Sequence, residues 1–417
     1  MQIAIVGAGI VGAATAHELA LDGHDVTVFE QRSAAAEEAS FANAGLLAPA
    51  LLIPWAAPGL GSGLRRQLWG AQASLRMAGG TCRADLAWLW RWQQASRSAT
   101  APATLAALAR LGQYSLERTR QISADMEMDA ETSRGTLVLL RTPQDQEQLQ
   151  PALHALREAG VVVNAVDADT ARLIEPGLGA EVPLAGALHA PDGESGNCRL
   201  FAQMLRYAAQ ERGARFLFQS RVQSITGAPT SVRIAGEPVG QTHRFDAVIV
   251  CAGLATASLL RPLGLPLPVV ALHGYSISAP LREESHAPQG AVVDPLHRVT
   301  ITRQGQRVRV AGGAELGHGS AEHHAPTLQM LYHTLSGWFP GCAQLSSPQV
   351  QVWRGARPTL PDGGPVLGAS GIPGVWVNAG HGAAGWAQAC GSARVVADLL
   401  LQRAAAVDVQ ALSMQRF

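Results

Sequence analysis

The sequence predicts a mixed α/β protein, α+β overall, in which a parallel-sheet domain is interleaved along the chain with an antiparallel-sheet domain. Three observations support this fold class. Residues 3–30 alternate strand, glycine-rich turn, helix and strand, and residues 375–391 repeat the strand, turn and helix. Between them, Val292–Gly312 has the pattern of antiparallel strands joined by a turn at residues 303–306.

The N-terminal segment carries a nucleotide-binding motif. Ile3–Val6 is a short apolar run suited to a buried parallel strand, and Gly7, Gly9 and Gly12 form the pattern GxGxxG. The helix that follows directs its free N–H groups and positive dipole end at a phosphate. Glu30 ends the next strand, 23 residues after Gly7, where its carboxylate can accept hydrogen bonds from ribose hydroxyls. The segment therefore predicts a Rossmann-like domain.

The second glycine-rich turn decides between nucleotide cofactors. Glu30 disfavours the 2′-phosphate of NADP by like-charge repulsion but does not separate NAD from FAD. The sequence VWVNAGHGAAGWAQACG, residues 375–391, comes more than 340 residues after the first motif. A protein that holds the ADP half of a cofactor near one end of the chain and its redox ring near the other is more suited to FAD. An NAD(P)-dependent dehydrogenase remains the alternative from another enzyme class.

Length and composition limit the other classes of protein to which the chain could belong. A chain of 417 residues predicts two or more domains. Lys+Arg and Asp+Glu both number 32, so the zero net charge gives no support for nucleic-acid binding. The five cysteines are scattered without a CxxC pair, and His323-His324 is interpreted as a surface pair, so no metal site is predicted. The N-terminus is a folded β-α motif rather than a signal peptide, and we expect a cytoplasmic protein.

One apolar segment allows two interpretations. Residues 46–64 contain Pro49, Pro54 and Pro58, which makes a membrane-spanning helix unfavourable. The segment is either an apolar surface loop that touches the inner face of the membrane or a lid that closes a pocket. Peripheral membrane contact and an oligomeric state are both left open.

The rest of the chain divides into further predicted elements. Phe245–Cys251 is a parallel strand whose following Ala252 and Gly253 let the backbone lie beside a ligand. We predict one discontinuous domain over residues 1–55, 180–260 and 350–417, and a second over 56–179 and 261–349. The other predicted elements are helices at Leu68–Ala95 (with Trp69, Trp88, Trp90 and Trp92 mostly in core or inter-domain packing), Thr104–Met126, Pro143–Ala159 and Asn197–Arg212, and strands at Gly135–Leu140 and Ala214–Phe218.

Seven ordered segments carry a family resemblance. They are IAIVGAGIVG…VTVFE, EEASFANAGLLAP with PWAAPG, PDGESGNCRLF, FDAVIVCAG, HGYSIS, WRGARPTLPDGGPVLG and NAGHGAAGWAQACGSA. The chain resembles the FAD-dependent D-amino acid oxidase/glycine oxidase superfamily over nearly its whole length, and within it the bacterial D-amino acid dehydrogenases. His273 departs from the lysine that often precedes GYS in those dehydrogenases.

The resemblance implies non-covalent FAD in an extended form. His381 either contributes to the flavin site or only fixes its turn, and Val222 would approach adenine through its backbone. The implied cofactor residues are Gly7, Gly9, Gly12 and Glu30 at the ADP half, Arg32 near the adenosine, Ser40, Asn43, Gly45 and Leu46 along the diphosphate and flavin, and Gly380, His381, Gly382, Ala383, Ala384 and Gly385 at the pyrimidine side of the flavin.

The resemblance also implies a substrate site. Arg357 matches the arginine that similar enzymes use for the carboxylate of an amino acid, and a guanidinium suits that role because it binds a carboxylate through two parallel hydrogen bonds. Tyr275 either contacts the substrate or packs in the core. The implied reaction is hydride transfer from Cα of a D-amino acid to flavin N5, followed by hydrolysis of the imino acid to a 2-oxo acid and ammonia.

The resemblance leaves the acceptor and the substrate class open. A dehydrogenase would pass electrons to a quinone or another carrier, whereas an oxidase would use O₂. The alternatives are oxidation of secondary or cyclic amines such as sarcosine, glycine, proline or hydroxyproline, and a flavoprotein subunit that only relays electrons within a larger complex.

Overall fold

A computed structural model describes residues 1–48, 75–95, 97–98, 101–158, 160–238, 241–317 and 323–417. Most of the apolar segment at residues 46–64, and Trp69, lie outside this part of the chain. The strands are β1 (Gln2–Val6), β2 (Asp25–Phe29), β3 (Leu46–Leu47), β4 (Arg76–Met77), β5 (Ser133–Leu140), β6 (Asn164–Asp167), β7 (Gly186–Ser195), β8 (Arg215–Leu217), β9 (Val222–Gly227), β10 (Thr230–Ile234), β11 (His243–Arg244), β12 (Ala247–Val250), β13 (Val270–Pro280), β14 (Ala291–Asp294), β15 (Val299–Gln304), β16 (Arg307–Leu316), β17 (Gln351–Thr359), β18 (Val366–Ala369) and β19 (Val375–Ala379).

The α-helices of the same residues pack mainly against these strands. They are α1 (Ile10–Leu21), α2 (Arg83–Ala95), α3 (Ala101–Asp125), α4 (Pro143–Glu158), α5 (Ala168–Ile174), α6 (Cys198–Glu211), α7 (Thr256–Leu260), α8 (Ala325–Trp338) and α9 (Gly385–Leu400). Short 3₁₀ turns precede several of them, including Gly382–Ala384 before α9.

The first sheet has the order β18-β19-β12-β1-β2-β8 and is parallel except for β18. Its central strand is buried on both faces, as parallel strands generally are. Ile3 and Ile5 pack on the side of α1 and α9, whereas Ala4 and Val6 pack toward the small sheet β11-β10-β9. The predicted parallel sheet is therefore confirmed, and it is covered on both sides.

The second sheet is larger and mostly antiparallel. Its order is β17-β13-β16-β15-β14-β5-β7-β3, with β4 pairing β16 and β6 pairing β7. The predicted antiparallel run is confirmed as β14, β15 and β16, and Gly305, with φ 54°, turns the chain between the last two. The mixed α/β fold class is thus confirmed.

The division of the chain into domains stays a prediction. Sheet membership nevertheless shows where the chain crosses between the two sheets. β3, β7 and β17 belong to the second sheet, although their residues fall in the ranges predicted for the first domain. Helix α3 falls in a range predicted for the second domain and packs against α9 of the first.

The helix predicted over Leu68–Ala95 is shorter in the structure. Residues 76–77 form β4, a turn follows at Gly79 and Gly80, and α2 begins only at Arg83. Trp88 and Trp92 stack with ring centroids 6.3 Å apart in the core, as predicted, but Trp90 is 62% exposed. The other predicted helices and strands agree with the structure within three residues at each end.

Gly12 fixes how closely α1 approaches β1. A Cβ at this position would lie 1.9 Å from the carbonyl oxygen of Gly7, which is an impossible contact with backbone. Gly7 itself has φ 103°, in the left-handed region, and a Cβ there would lie 2.6 Å from the carbonyl oxygen of Cys251. The two glycines are therefore required by packing as well as by any ligand.

We predict that Gly12→Ala destabilises the protein by about 3 kcal/mol, since the new methyl group must push α1 away from β1. Gly79→Ala is the matched control, because a Cβ there meets no atom within 4 Å, and its effect should stay within about 0.5 kcal/mol. Thermal and urea unfolding measure both. Equal midpoints for the two variants would contradict the packing argument.

Candidate FAD and substrate site

A cavity of about 2250 Å³ lies between the first sheet and the second sheet. The carboxyl ends of β1, β2, β12 and β19 open onto it, as is usual for ligand sites of parallel sheets. Gly12 and Arg32 do not line it. All the other predicted site residues do: Gly7, Gly9, Glu30, Ser40, Asn43, Gly45, Leu46, Val222, Ala252, Gly253, Tyr275, Arg357, Gly380, His381, Gly382, Ala383, Ala384 and Gly385.

Helix α1 begins at the cavity. Gly9 is its N-cap, and the Ser40 hydroxyl accepts a hydrogen bond of 3.1 Å from the backbone N–H of Ile10. A Cβ on Gly9 would approach no protein atom closer than 3.5 Å. The absence of a side chain there therefore leaves space on the cavity side, which suits close approach of a phosphate to a helix N-terminus.

Glu30 is held by two backbone donors. Its Oε2 accepts from the N–H of Ala8 at 2.7 Å, and its Oε1 accepts from the N–H of Arg32 at 2.8 Å. Each carboxylate oxygen can accept a further hydrogen bond, and the side chain lines the cavity. The Arg32 side chain is directed elsewhere and pairs with Glu38, so its predicted place near the adenosine stays a prediction.

The loop after Ser40 is attached to the second sheet. Arg309 Nη1 donates to the Asn43 carbonyl at 3.3 Å, and Thr302 Oγ1 donates to the Ala44 carbonyl at 3.2 Å. Gly45 has φ 75°, and a Cβ there would lie 2.5 Å from Gln304 Nε2. These contacts fix the loop between the two sheets, where it forms one wall of the cavity.

The loop after β19 also lines the cavity. Gly380 has φ 85°, and a Cβ there would lie 2.5 Å from Leu360 Cδ1. His381 is buried, and burial lowers its pKa to about 3, so the imidazole is neutral. Ser392 donates to the Ala389 carbonyl, so its oxygen accepts the 3.2 Å bond from His381 Nε2, which leaves Nδ1 as the unprotonated nitrogen.

Trp386 is a cavity residue that the sequence did not single out. It is 3% exposed, lines the cavity, and its Nε1–H has no hydrogen-bond partner among the described residues. A buried indole N–H usually finds a partner, so this orphan donor indicates a polar ligand atom nearby. Only its place directly after the glycine-rich loop could have pointed to it.

Arg357 presents a cation to the same cavity. It lies on β17, and its guanidinium crosses the face of Gly274 on β13, where a Cβ would come within 2.3 Å of it. Its Nη1 donates to the Gly313 carbonyl at 2.9 Å, and no carboxylate of the described residues pairs with it. Burial lowers its pKa to about 10, which still leaves it charged at neutral pH.

Tyr275 lies on the other face of the sheet from Arg357. It opposes Arg354, whereas Arg357 opposes Leu272, and neighbouring residues of a strand alternate between faces. Its hydroxyl donates to Glu315 at 2.8 Å and accepts from the backbone N–H of His324 at 3.3 Å. Both hydrogen-bonding sites therefore have protein partners, and a role in substrate binding stays a prediction.

His324 corrects the interpretation of the histidine pair as wholly on the surface. His323 is exposed, but His324 is partly buried, and its Nδ1 lies 2.9 Å from the Thr327 hydroxyl at the start of α8. His324 also lines the cavity. In the described residues, no group of three or more His, Cys, Asp or Glu side chains is placed to hold a metal ion.

Comparison with known proteins agrees with this arrangement. The model of the family of FAD-dependent oxidoreductases known as DAO matches residues 2–399. The chain belongs to the DAO family. D-amino acid dehydrogenases of Cereibacter sphaeroides and Bradyrhizobium diazoefficiens are 36% and 34% identical to it, over 100% of this chain and 95% and 99% of theirs. Glycine oxidase of Geobacillus kaustophilus superposes with a TM-score of 0.75 at 22% identity, covering 100% of this chain and 98% of that one.

Membership of the DAO family makes this protein an FAD-dependent oxidoreductase that acts on amino donors. The residues fit the cofactor. The glycines at the start of α1 and after β19 leave space at the same edge of the first sheet, Glu30 keeps free lone pairs, and Trp386 offers a donor with no partner among the described residues. The part of the chain that the structure describes contains no helix long and apolar enough to cross a membrane.

We predict that Glu30→Gln lowers both stability and FAD affinity. The glutamine NH₂ would face one of the two backbone N–H donors, leaving a buried donor unsatisfied at a cost of about 1–3 kcal/mol. Glu117→Gln, at an exposed position of α3, is the control. Urea unfolding without added FAD and a titration with FAD separate the two effects. Unchanged values in both assays would show that the carboxylate is dispensable.

A second prediction concerns pH. The pKa of His381 is about 3 in the folded state and about 6.5 in the unfolded state, so only the unfolded chain gains a proton as the pH falls through 6.5. Protonation of His381 in the unfolded chain should therefore lower the free energy of unfolding by about 2 kcal/mol between pH 8 and pH 5. Between pH 8 and pH 5, at a fixed FAD concentration, the free energy of unfolding of the His381→Asn variant should fall by about 2 kcal/mol less than that of the wild type.

The control for this experiment is the exposed His333, whose replacement by Asn should leave the pH dependence of the wild type unchanged. An identical loss of stability in the wild type and the His381 variant would mean that the imidazole is not held neutral in the folded protein.

Proposed function

We propose that this protein oxidises D-amino acids to 2-oxo acids and ammonia and passes the electrons to a quinone or another carrier. The observation that carries the proposal is the placement of Arg357, a cation that pairs with no carboxylate of the described residues, in the same cavity as the nucleotide-binding glycines and the loop after β19. The relatives named D-amino acid dehydrogenase support the choice of substrate.

The chain's own residues would act by binding and orientation. Arg357 would hold the substrate carboxylate through two hydrogen bonds, while the Gly313 carbonyl and the bare face of Gly274 fix the guanidinium. Fixing one end of the substrate in this way restricts where its Cα–H and amine lie, and such orientation can supply much of a rate enhancement. FAD, when bound, supplies a two-electron acceptor.

The neutral state of His381 fits this assignment. With its proton on Nε2, the neutral His381 can accept but not donate a hydrogen bond at Nδ1. Because it is neutral, it brings no positive charge to the wall formed by residues 380–385. Backbone N–H groups of that loop would then be the donors available to stabilise negative charge on the flavin side of the cavity. Peripheral contact with the inner face of the membrane and an oligomeric state are further parts of the proposal.

The second candidate function is oxidation of a secondary or cyclic amine, in which the substrate nitrogen carries a second carbon. Profiling D-alanine, L-alanine, glycine, sarcosine, D-proline and hydroxyproline separates the two candidates. The proposal expects the D-amino acids to have the highest kcat/KM. Sarcosine or a cyclic amine as the preferred substrate would replace it.

We predict that Arg357→Leu lowers kcat/KM for D-alanine by about 100-fold to 1000-fold while FAD stays bound, since a buried carboxylate would lose its charged partner. Arg357→Lys should lose less, because it keeps the charge but not the two-pronged geometry. Arg134→Leu, at an arginine whose side chain is 84% exposed, is the control. Near-normal turnover by the FAD-loaded Arg357→Leu variant would refute the carboxylate-binding role.

A further inference from the structure

Two tryptophans of α2 lie side by side at the cavity, and only one of their indole N–H groups has a partner. Trp88 and Trp92 stack with an interplanar angle of 6°, and both residues line the cavity. The Nε1–H of Trp88 donates to the Thr359 carbonyl at 3.2 Å. The Nε1–H of Trp92 has no acceptor among the described residues, although Trp92 is only 2% exposed.

A buried indole N–H without an acceptor destabilises the folded protein. The indole nitrogen can only donate, so no change of protonation removes its need for an acceptor. Native proteins keep few buried polar groups in this state, because each one has lost its hydrogen bonds to water without replacement. The unpaired donor of Trp92 is explained if a bound ligand brings an acceptor to this wall of the cavity.

The tryptophan pair lies beside the strand positions that carry Arg357. Leu272 opposes Arg357 across β13 and β17, and it belongs to the same apolar cluster as Trp88 and Trp92. Residues that oppose one another in a sheet share a face, so the stack and Arg357 are on the same side of the second sheet. Thr359, whose carbonyl accepts from Trp88, lies only one strand repeat beyond Arg357.

The chemistry of this part of the cavity favours a carboxylate as the acceptor. Arg357 pairs with no carboxylate of the described residues, and its proposed ligand is the carboxylate of the substrate. Each carboxylate oxygen can accept more than one hydrogen bond, so an arginine and an indole can share the same group. The indole adds a donor without adding a second positive charge, and the apolar cluster around it strengthens a charge-assisted hydrogen bond.

We propose that the Nε1–H of Trp92 donates a hydrogen bond to the carboxylate of the amino acid substrate, beside Arg357. The inference rests on the proposed oxidation of D-amino acids and assigns a second residue to the recognition of their carboxylate. Trp92 is then a specificity-determining residue, because an amine without a carboxylate leaves its buried donor unpaired. An oxygen atom of FAD is the competing acceptor, and separate titrations distinguish the two.

Titration with propionate tests the assignment without turnover, because propionate is D-alanine without its amine. It is titrated into the FAD-loaded protein and followed by calorimetry or by the flavin spectrum. Trp92→Phe keeps an aromatic ring but removes the donor, so it should weaken propionate binding by at least about 10-fold and change FAD affinity by less than about threefold. Trp90→Phe, at a 62% exposed position of the same helix, is the matched control and should leave both affinities unchanged. Unchanged propionate binding by Trp92→Phe would overturn the inference, as would a loss confined to FAD.

An NMR measurement on the FAD-loaded wild type observes the hydrogen bond itself. With ¹⁵N-labelled tryptophan, each of the nine indole groups of the chain gives one N–H signal. Propionate should move the Trp92 proton signal to lower field, the direction that a stronger hydrogen bond produces, and leave the Trp90 signal in place. Spectra of Trp92→Phe and Trp90→Phe supply the assignments, and Trp92→Tyr replaces the first variant if it does not fold. A Trp92 signal that stays in place at saturating propionate contradicts the proposal.

Kinetics separate this inference from the proposed function. Because the hydrogen bond holds both the bound substrate and the transition state, Trp92→Phe should raise KM for D-alanine about 10-fold and change kcat by less than about threefold. If the variant oxidises D-alanine with an unchanged KM, the proposed function stands and the role of Trp92 fails. If no D-amino acid is oxidised while propionate still binds through Trp92, the proposed reaction fails and the carboxylate site stands.

Discussion

The close contact of α1 with β1 is the constraint on which the site depends. Because Gly12 lies against the carbonyl oxygen of Gly7, and Gly7 lies against that of Cys251, the ends of β1 and β12 are joined without intervening side chains. β19 pairs with β12 on the far side, which brings the loop at residues 380–385 to the same edge. Segments from both ends of the chain thus share one cavity wall.

The second sheet supplies what the first cannot. The first sheet provides glycine-rich turns and one carboxylate, all suited to a nucleotide, whereas Arg357, the cation proposed to bind the substrate, comes from β17 of the second sheet. Hydrogen bonds from Thr302 and Arg309 to residues 43–44 tie the two parts together. Relative movement of the sheets would therefore alter both the cofactor wall and the substrate wall.

Local motifs were predictable because their chemistry is local. The spacing of Gly7, Gly9 and Gly12 encodes a backbone geometry that needs no distant partner, and Glu30 follows from the length of one helix and one strand. The start of α2 was predicted too early, because the run of tryptophans continued the apolar pattern across the turn at residues 79–80.

Features that depend on pairing between strands could not be predicted. The register between β13 and β17 decides whether Tyr275 and Arg357 lie on the same face of the sheet. In the structure they lie on opposite faces, and the Tyr275 hydroxyl contacts Glu315 rather than the neighbourhood of Arg357. The orphan indole N–H of Trp386 likewise becomes informative only in the cavity that the two sheets form together. Its place directly after the glycine-rich loop does not by itself show that the indole N–H lacks a partner.

The most direct test of the central claim is an anaerobic titration of the purified protein, followed through the visible absorption of its flavin. D-alanine, L-alanine, D-proline, sarcosine and D-glutamate would be added in turn. Our account predicts bleaching by D-amino acids and no comparable bleaching by L-alanine or sarcosine. A flavin that no D-amino acid bleaches would contradict it, as would preferential bleaching by sarcosine or L-alanine.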